Sequence, residues 1–275
     1  MSTMHTVGVS ELHVVRRGES EGEPLLLIQG MSGSHLSWGD PFSDLLAQRL
    51  DTIAYDHRGI GRSSRVSDPF SISDLADDAA GLLDALGLES AHVLGISMGG
   101  MVAQELALRH PDRLRSLTLG CTYCGGPGST LTQEAVITRL GEGMMSGDRE
   151  RAIRTGYEVN VAASFAADPA NYEVFHAMAT AMPAPVPVIM LQMQAIAAHD
   201  TSKRLGEIRA PTLVIHGDED QMLGADNGRL IASLIPGARL EVLEGVGHMF
   251  WWEQPQRSAE LVLQHVGAAT AAASS

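Results

Sequence analysis

The sequence predicts an α/β fold in which a mostly parallel central sheet is flanked by helices and interrupted by one helical insertion. Short apolar runs alternate with amphipathic stretches, a pattern typical of buried parallel strands joined by helices. About ninety residues without a clear strand separate the run that ends at Leu119 from the run that begins at Thr212. Ordinary connections take roughly two to six residues. This segment is therefore predicted to be an inserted helical cap.

The predicted strands are short apolar runs, most of which end in glycine-rich or acidic loops. They cover residues 12–15, 25–28, 52–55, 92–96, 114–119, 212–216 and 239–243. Ser73 is expected to cap a helix over 74–86, and Pro111 to stop a helix over 99–110. A last helix is expected over 255–266, starting near Pro255.

These elements predict a discontinuous core with a helical cap between its two parts. The first part of the core is 1–121, the cap is 122–210 and the second part is 211–267. The small-residue tail 268–275 is expected to be disordered.

Composition excludes several classes of function. The chain has 275 residues, of which 44% are hydrophobic and 4% aromatic, as in ordinary globular proteins. Its formal net charge is −14 and it has no cluster of lysine and arginine, so a nucleic-acid partner is not expected. It shows neither a signal-peptide pattern nor an apolar stretch of transmembrane length, and we expect a cytoplasmic protein with no membrane partner.

Metal sites are not expected either. Cys121 and Cys124 form a single Cys-x-x-Cys pair, without the second ligand cluster that a zinc site needs. The two thiols are interpreted as small apolar side chains at the end of a strand. The eleven histidines lack the spacing of known metal motifs, so no metal and no cofactor are predicted.

A nucleophilic serine is predicted at Ser97. The stretch Gly95-Ile96-Ser97-Met98-Gly99 lies between an apolar run and an amphipathic stretch. Glycines on both sides of a serine allow a tight strand-to-helix turn that exposes the hydroxyl. A serine hydroxyl at its ordinary pKa is a poor nucleophile, so this turn needs a histidine base and an acid that orients the histidine.

Both partners follow later in the chain, each after a predicted strand. The acidic stretch Asp218-Glu219-Asp220 follows the run 212–217, and His248 follows the run 240–245. The order serine, acid, histidine is that of hydrolases with this turn. The sequence therefore predicts a catalytic triad with Ser97 as nucleophile.

The chain resembles the α/β-hydrolase family over nearly its whole length. The motifs that carry the resemblance are Gln29-Gly30, residues 55–63, the turn around Ser97, residues 211–220 and residues 245–248. The resemblance implies an α/β-hydrolase fold and maps the acid onto Asp220, third after Gly217; Asp218 and Asp226 remain alternatives. It implies His248 as the base, in competition with His35, His57, His92, His216 and His265.

The family rule also implies an oxyanion hole made of two backbone N–H groups. They are those of Met98, which follows the nucleophile, and of Met31, after the third strand. Many relatives have His-Gly where this chain has Gln29-Gly30, which leaves the side-chain support of the loop open. Ser32, Gly33 or Ser34 could provide the donor in place of Met31.

Side chains near the predicted site are candidates for a substrate pocket. Several flank the oxyanion loop or the base, and others come from the methionine-rich insertion, where they either pack the cap's own core or line an adaptable apolar pocket. The candidates are Gly30, Ser32, His35, Trp38, Met145, Phe165, Met182, Met249 and Trp251. The loop 56–63 is interpreted as structural.

These observations predict a cofactor-free serine hydrolase that cleaves a carboxylic ester of a small or medium apolar molecule through an acyl-enzyme. Residues 25–33, residues 55–59 and the long cap are similar to polyketide methylesterases of the aclacinomycin type. Haloperoxidases acting as perhydrolases, C–C bond hydrolases and lactonases share the triad and remain alternatives. A non-catalytic ligand receptor is the alternative from another class. The serine excludes epoxide hydrolases and haloalkane dehalogenases, whose nucleophile is an aspartate. The oligomeric state is left open, a homo-oligomer included.

Overall fold

A computed structural model describes residues 1–19 and 21–273, which form an eight-stranded sheet with helices on both faces. In spatial order the strands are β1, β2, β4, β3, β5, β6, β7 and β8. Only the pairs β1–β2 and β2–β4 are antiparallel, and all other pairs are parallel. The predicted fold class, a mostly parallel sheet flanked by helices, is confirmed. In chain order the strands are β1 Ser2–Val7, β2 Ser10–Arg17, β3 Glu23–Ile28, β4 Leu50–Tyr55, β5 Ala91–Ile96, β6 Leu114–Gly120, β7 Thr212–Gly217 and β8 Arg239–Leu243.

The helices divide into those that cover the sheet and those inserted between β6 and β7. The sheet-covering helices are α1 Asp40–Ala47, α2 Ile72–Ala85, α3 Met98–Arg109, α9 Asp226–Leu234, α10 Phe250–Glu253 and α11 Pro255–Ala273. The inserted helices are α4 Glu134–Met145, α5 Arg149–Asn160, α6 Ala163–Ala166, α7 Pro169–Ala181 and α8 Val186–Ala197.

The sheet separates two apolar cores. In β3, Leu26 and Ile28 belong to the core under α2 and α3, while Leu25 and Leu27 belong to the core under α1 and α11. Successive side chains of a strand point to opposite faces, so a strand buried on both faces is apolar throughout. This burial explains why the parallel strands appear in the sequence as continuous apolar runs.

Two sequence predictions about helix ends were wrong. Helix α2 is capped by Ser71, whose hydroxyl accepts the Asp74 N–H while the Asp74 carboxylate accepts the Ser71 N–H; Ser73 lies inside the helix. This reciprocal pair satisfies two N–H groups at once, which a cap at Ser73 would not. Helix α11 continues to Ala273, so residues 268–273 are helical, because alanine has the highest helix propensity and Ala269 is buried. The last two residues of the predicted disordered tail lie outside the described residues.

The strand β1 was not predicted. Its side chains alternate between exposed and half-buried, and it pairs only with β2 at the edge of the sheet. An edge strand of this kind lacks the continuous apolar run that identified the others. Within the described residues, no single helix is long and apolar enough to span a membrane; only α7 and α8 taken together reach that length, and they are bent by 103°.

Candidate active site

Ser97 lies in the turn between β5 and α3, with a backbone conformation that residues other than glycine rarely adopt. Its φ is 53° and its ψ is −124°. Such strain, about 1–3 kcal/mol, persists only where the surroundings impose it. Here the Ser97 N–H donates to the Gly120 carbonyl of β6, and the Ser97 carbonyl accepts the Thr122 hydroxyl. The turn leaves Ser97 half-buried, at the N-terminus of α3.

The turn is closed by two glycines that have no room for a side chain. A Cβ on Gly95 would lie 2.2 Å from the Gly99 carbonyl oxygen, and a Cβ on Gly99 would lie 2.1 Å from the Ile28 carbonyl oxygen. Both obstacles are backbone atoms, which cannot rotate away. The spacing of the sequence motif therefore reflects a close approach of β3, β5 and α3.

Replacing Gly99 by alanine is expected to destabilise the fold. Overpacking of this kind costs about 1–3 kcal/mol or more, and a backbone obstacle places the cost at the upper end. Gly141 in α4 is the matched control, because a Cβ there meets nothing within 4 Å and alanine is the better helix former by about 0.5–1 kcal/mol. Urea unfolding midpoints should move in opposite directions for Gly99→Ala and Gly141→Ala. Equal midpoints for the two variants would contradict the steric argument.

Asp220, the candidate acid, is buried. Its Oδ1 accepts the N–H groups of Met222 and Leu223 at 2.8 and 2.9 Å, and its Oδ2 accepts Nδ1–H of His248 at 2.7 Å. Burial alone would raise the pKa of Asp220, but the imidazoles of His248 and His216 hold it well below its usual range. Asp220 is therefore a carboxylate at neutral pH.

The alternative acids face elsewhere. Asp218 is exposed and accepts the Gly245 N–H at 2.8 Å, which fastens the loop before the base. Asp226 lies at the start of α9 with its side chain 82% exposed, next to Arg229. Neither carboxylate contacts His248 among the described residues.

His248 is buried, and Asp220 determines its electrostatics. Burial would lower the pKa of His248, but the Asp220 carboxylate raises it well above its ordinary value. With Nδ1–H donated to Asp220, Nε2 is the nitrogen free to accept a proton. Burial raises the pKa of the Cys121 thiol, against the opposing influence of the His248 imidazole. The residue before Cys121 is Gly120, whose carbonyl accepts the Ser97 N–H. Among the described residues no hydrogen bond joins Ser97 Oγ to His248; such bonds often tighten only when substrate binds.

Each of the five competing histidines has a partner outside the Ser97 turn, although His216 also lies beside the candidate acid, with its Nε2 3.4 Å from Asp220 Oδ2. They hold backbone carbonyls, a serine or an aspartate in the frame of the fold, and none of them contacts the acid and the serine turn together. The pairs are His35 with Asp56, His57 with the Gln29 carbonyl, His92 with Ser116, His216 with the Leu223 carbonyl, and His265 with the carbonyls of Leu117 and Pro211.

The loop that carries His248 is fastened to the inserted helices. Gly247 and Ala162 both donate backbone N–H groups to the Glu253 carboxylate, and the Met249 N–H donates to the Asn160 carbonyl. Burial raises the pKa of Glu253. The segment between α5 and α6 thus backs the base loop.

Gln29 supports the loop after β3 with its own side chain. Its Oε1 accepts the Gly30 N–H at 2.8 Å, and its backbone carbonyl accepts from His57 at 2.9 Å. Gly30 lies against the nucleophile, since a Cβ on it would be 3.0 Å from the Ser97 Cβ. The loop after β3 therefore does have side-chain support, although this chain has Gln29-Gly30 where many relatives have His-Gly.

The backbone N–H groups of this loop are almost all engaged. The Met31 N–H has no partner among the residues that the structure describes, and Met98, as the first residue of α3, has no helical carbonyl one turn before it. The other loop amides have these acceptors: Gly30 donates to Gln29 Oε1, Ser32 to Gln192 Oε1, Gly33 to the Gly30 carbonyl and Ser34 to Ser37 Oγ.

Four predicted pocket residues do not line an open pocket. Trp38 and Trp251 are buried in the core, where they pack against each other, and the Trp251 Nε1–H donates to the Ser37 carbonyl. His35 gives both its backbone N–H and its Nδ1–H to Asp56. Met145 is 88% exposed at the end of α4, whose buried residues are Val136 and Gly143.

The remaining pocket candidates lie in three places. Gly30 and Ser32 belong to the oxyanion loop beside Ser97. Met182 is half-buried next to Gly61, and Met249 is buried directly after the base. Phe165 is half-buried against the core under α1 and α11.

His13, His35 and Asp56 cluster under the oxyanion loop, with candidate ligand atoms within 4.8 Å of one another. Asp56 Oδ1 already accepts from the ring and the backbone N–H of His35. Asp56 Oδ2 accepts from the His13 ring and the Arg62 backbone N–H. The cluster is a hydrogen-bond network that ties β2 to the loops after β3 and β4. It leaves little acceptor capacity for a metal.

Two residues of the site were not predicted. Cys121 follows β6 directly, at the same sheet edge as Ser97 and Asp220, and that position was the available signal. Gln192 lies in α8, 160 positions from its partner Ser32, and no local sequence pattern indicates such a contact.

Comparisons with known proteins agree with this architecture. The family model described as alpha/beta hydrolase fold matches residues 23–255. The protein RutD of Azorhizobium caulinodans, whose name assigns it to carbamate hydrolysis, is 32% identical over 249 residues, covering 90% of this chain and 92% of its own. A hydrolase from Pseudomonas aeruginosa PA01 superposes with a TM-score of 0.82 at 31% identity, covering 97% of this chain and 98% of its own. The enol-lactonase from Burkholderia xenovorans LB400 gives 0.83 at 25% identity, covering 96% and 100%.

Proposed function

Because the chain belongs to the α/β-hydrolase family and is a hydrolase, we propose that it cleaves a carboxylic ester of a small or medium apolar molecule through an acyl-enzyme on Ser97. The observation that carries the proposal is the buried Asp220–His248 pair, joined at 2.7 Å between Oδ2 and Nδ1, which follows β7 and β8 at the same end of the parallel sheet as the strained Ser97 turn after β5. A strained serine beside a base that an acid orients is the arrangement needed for nucleophilic catalysis.

Acylation begins with proton transfer from Ser97 Oγ to Nε2 of His248. Asp220 holds Nδ1–H, so Nε2 carries the lone pair and the imidazolium that forms is stabilised by the carboxylate. The Ser97 oxygen attacks the ester carbonyl carbon, and the carbonyl oxygen becomes an oxyanion. The free N–H groups of Met31 and Met98 stabilise this charge; one such donor contributes roughly 10²- to 10³-fold in rate.

Collapse of the tetrahedral intermediate breaks the ester bond. The His248 imidazolium gives its proton to the leaving alkoxide, and the acyl group stays on Ser97. Water then enters, gives a proton to Nε2 and attacks the acyl carbonyl through a second oxyanion. Collapse of this intermediate breaks the bond to Ser97 Oγ, which takes the proton back from Nε2 as the carboxylic acid leaves, so the cycle needs no cofactor.

An apolar substrate is supported by the side chains near the loop. Met31 in this loop is half-buried, and Met249 is buried directly after His248. Flexible thioethers suit an adaptable apolar surface. Within this class a methyl ester of an aromatic polyketide is the finer proposal.

A lactone is the second candidate, favoured by the superposition on the enol-lactonase. A lactone is a cyclic ester, so the same steps apply, except that the leaving alkoxide stays attached to the acyl group. The two candidates differ in the shape of the bound molecule rather than in mechanism.

A substrate panel tests the proposal. We expect turnover of p-nitrophenyl esters of graded chain length, with aromatic methyl esters and γ- and δ-lactones in parallel arms to rank the finer candidates. Enzyme inactivated by a fluorophosphonate serves as the control, because its serine is blocked. Absence of ester and lactone turnover, together with absence of a fluorophosphonate adduct by intact mass, would overturn the proposal. Bromination that requires peroxide and an organic acid, exceeding hydrolysis, would favour a perhydrolase instead.

A further inference from the structure

Gln192 is a buried amide that connects the inserted helices to the loop beside the nucleophile. It lies in α8 and is fully buried, although its neighbours Met193 and Gln194 are exposed. Its Oε1 accepts the Ser32 N–H at 2.9 Å. Ser32 donates, so the atom facing it must be the amide oxygen, which fixes the orientation of the side chain.

The Ser32 peptide needs an external acceptor because its backbone is strained. Ser32 has a φ of 62°, a conformation that costs a residue other than glycine about 1–3 kcal/mol and persists only when neighbours impose it. It directly follows Met31, whose N–H is free. The Ser32 N–H shares its peptide plane with the Met31 carbonyl, so its hydrogen bond to Gln192 restrains the backbone on the C-terminal side of Met31.

Helix α8 is itself held against the core, so Gln192 acts from a fixed position. Leu191 and Ile196 pack on the same core as Met31, and the Ile196 carbonyl accepts the Tyr123 hydroxyl at 3.0 Å. Val188 lies against Gly59 in the loop after β4. The helix is thus held on both sides of Gln192, by the loop after β4 and by the segment after β6.

Stability alone does not account for an amide at this position. Nε2 of Gln192 is buried without a hydrogen-bond partner among the described residues, and an unpaired buried donor costs about 1–3 kcal/mol. An apolar side chain of similar volume would avoid this cost but would lose the acceptor for Ser32.

Resting on the function proposed above, we propose that Gln192 is a positioning residue of the oxyanion hole: from the inserted segment it holds the Ser32 peptide so that the Met31 N–H points at the oxyanion. Gln192 itself touches no reacting atom. The contribution of the inserted helices to catalysis is thus to set the geometry of the loop after β3, besides covering the substrate.

The test compares Gln192→Met with Gln194→Met, the same substitution at an exposed position two residues away. We expect Gln192→Met to lower kcat for a p-nitrophenyl ester by roughly 10- to 10²-fold, less than loss of a whole oxyanion donor. KM should change by less than about threefold, since the loop aligns the transition state rather than binding the ester. Fluorophosphonate labelling should slow by a similar factor, because phosphonylation develops charge in the same hole. Gln194→Met should keep all three values.

Gln192→Glu provides the rescue. A carboxyl oxygen still accepts the Ser32 N–H, so this variant should keep kcat within about fivefold of the native enzyme, and it decides the question if Gln192→Met fails to fold. A native kcat in Gln192→Met, an equal loss in Gln194→Met, or a loss in Gln192→Glu as large as that in Gln192→Met would overturn the inference. If the native enzyme neither reacts with the fluorophosphonate nor turns over esters, the proposed function would be overturned instead.

Discussion

Replacing Ser97 by alanine is expected to lower kcat for ester hydrolysis on the order of 10⁴- to 10⁶-fold. The hydroxyl is the attacking atom in the proposed mechanism, and removing a nucleophile leaves only the rate enhancement from the oxyanion hole and binding. Because Gly95 and Gly99 impose the turn, the variant should fold normally. Steady-state kinetics and intact mass after fluorophosphonate treatment measure the two consequences, lost turnover and lost adduct.

Ser233→Ala is the matched control. Ser233 is exposed in α9, and its hydroxyl only donates to the Leu230 carbonyl one turn earlier. This variant should keep native kcat and gain a single adduct. An undiminished adduct in Ser97→Ala would show that another residue is the nucleophile; Cys121, which directly follows β6 at the same sheet edge, would then be the next candidate.

The fold was predictable because its parallel strands are buried on both faces. Leu25 to Ile28 alternate between the two cores, so this part of β3 is apolar at every position. β5 and β7 are also buried at every position and are mostly apolar. The edge strand β1 has no such constraint and was missed. The predicted end of α11 was also wrong. The alanine-rich tail was interpreted as disordered because its composition is simple, but alanine has high helix propensity and the helix continues to Ala273.

The candidate triad was proposed from chain order, because the carboxyl ends of parallel strands meet at one edge of the sheet. Asp220 and His248 follow β7 and β8, and in the structure Asp220 Oδ2 lies 2.7 Å from His248 Nδ1. The pocket was less predictable. Trp38 and Trp251 flank the site in sequence but turn into the core, and Gln192 reaches Ser32 across 160 positions through a helix whose docking no local pattern encodes.

Asp220→Asn is expected to lower kcat by roughly 10³- to 10⁴-fold while leaving Ser97 open to slow labelling. The asparagine oxygen can still accept from Met222 and Leu223, so its NH₂ group would face Nδ1 of His248. That contact favours the tautomer with the proton on Nε2, which cannot accept the Ser97 proton. Asp218→Asn is the control: its site is exposed, and an asparagine oxygen can still accept the Gly245 N–H, so a change of less than about threefold is expected.

The pH dependence separates this electrostatic role from a loss of structure. Catalysis needs a neutral His248, and Asp220 raises the pKa of His248 well above its ordinary value of about 6.5. In the native enzyme kcat/KM should therefore fall as the pH drops through that raised pKa. Asp220→Asn removes the carboxylate, so the midpoint of the residual activity should move to lower pH, whereas Asp218→Asn should keep the native midpoint.

The two groups of this pair both stabilise the fold, and their contributions are lost at opposite ends of the pH range. The lowered pKa of Asp220 stabilises the fold above the ordinary aspartate pKa of about 3.9, and this contribution is lost as the pH falls toward the lower folded value. The raised pKa of His248 stabilises the fold below about pH 6.5, and this contribution is lost as the pH rises through the folded value. Thermal unfolding of Asp220→Asn should therefore differ most from the native enzyme between these limits. A larger kinetic loss in Asp218→Asn than in Asp220→Asn, or a midpoint that does not move in Asp220→Asn, would assign the acid to a different residue.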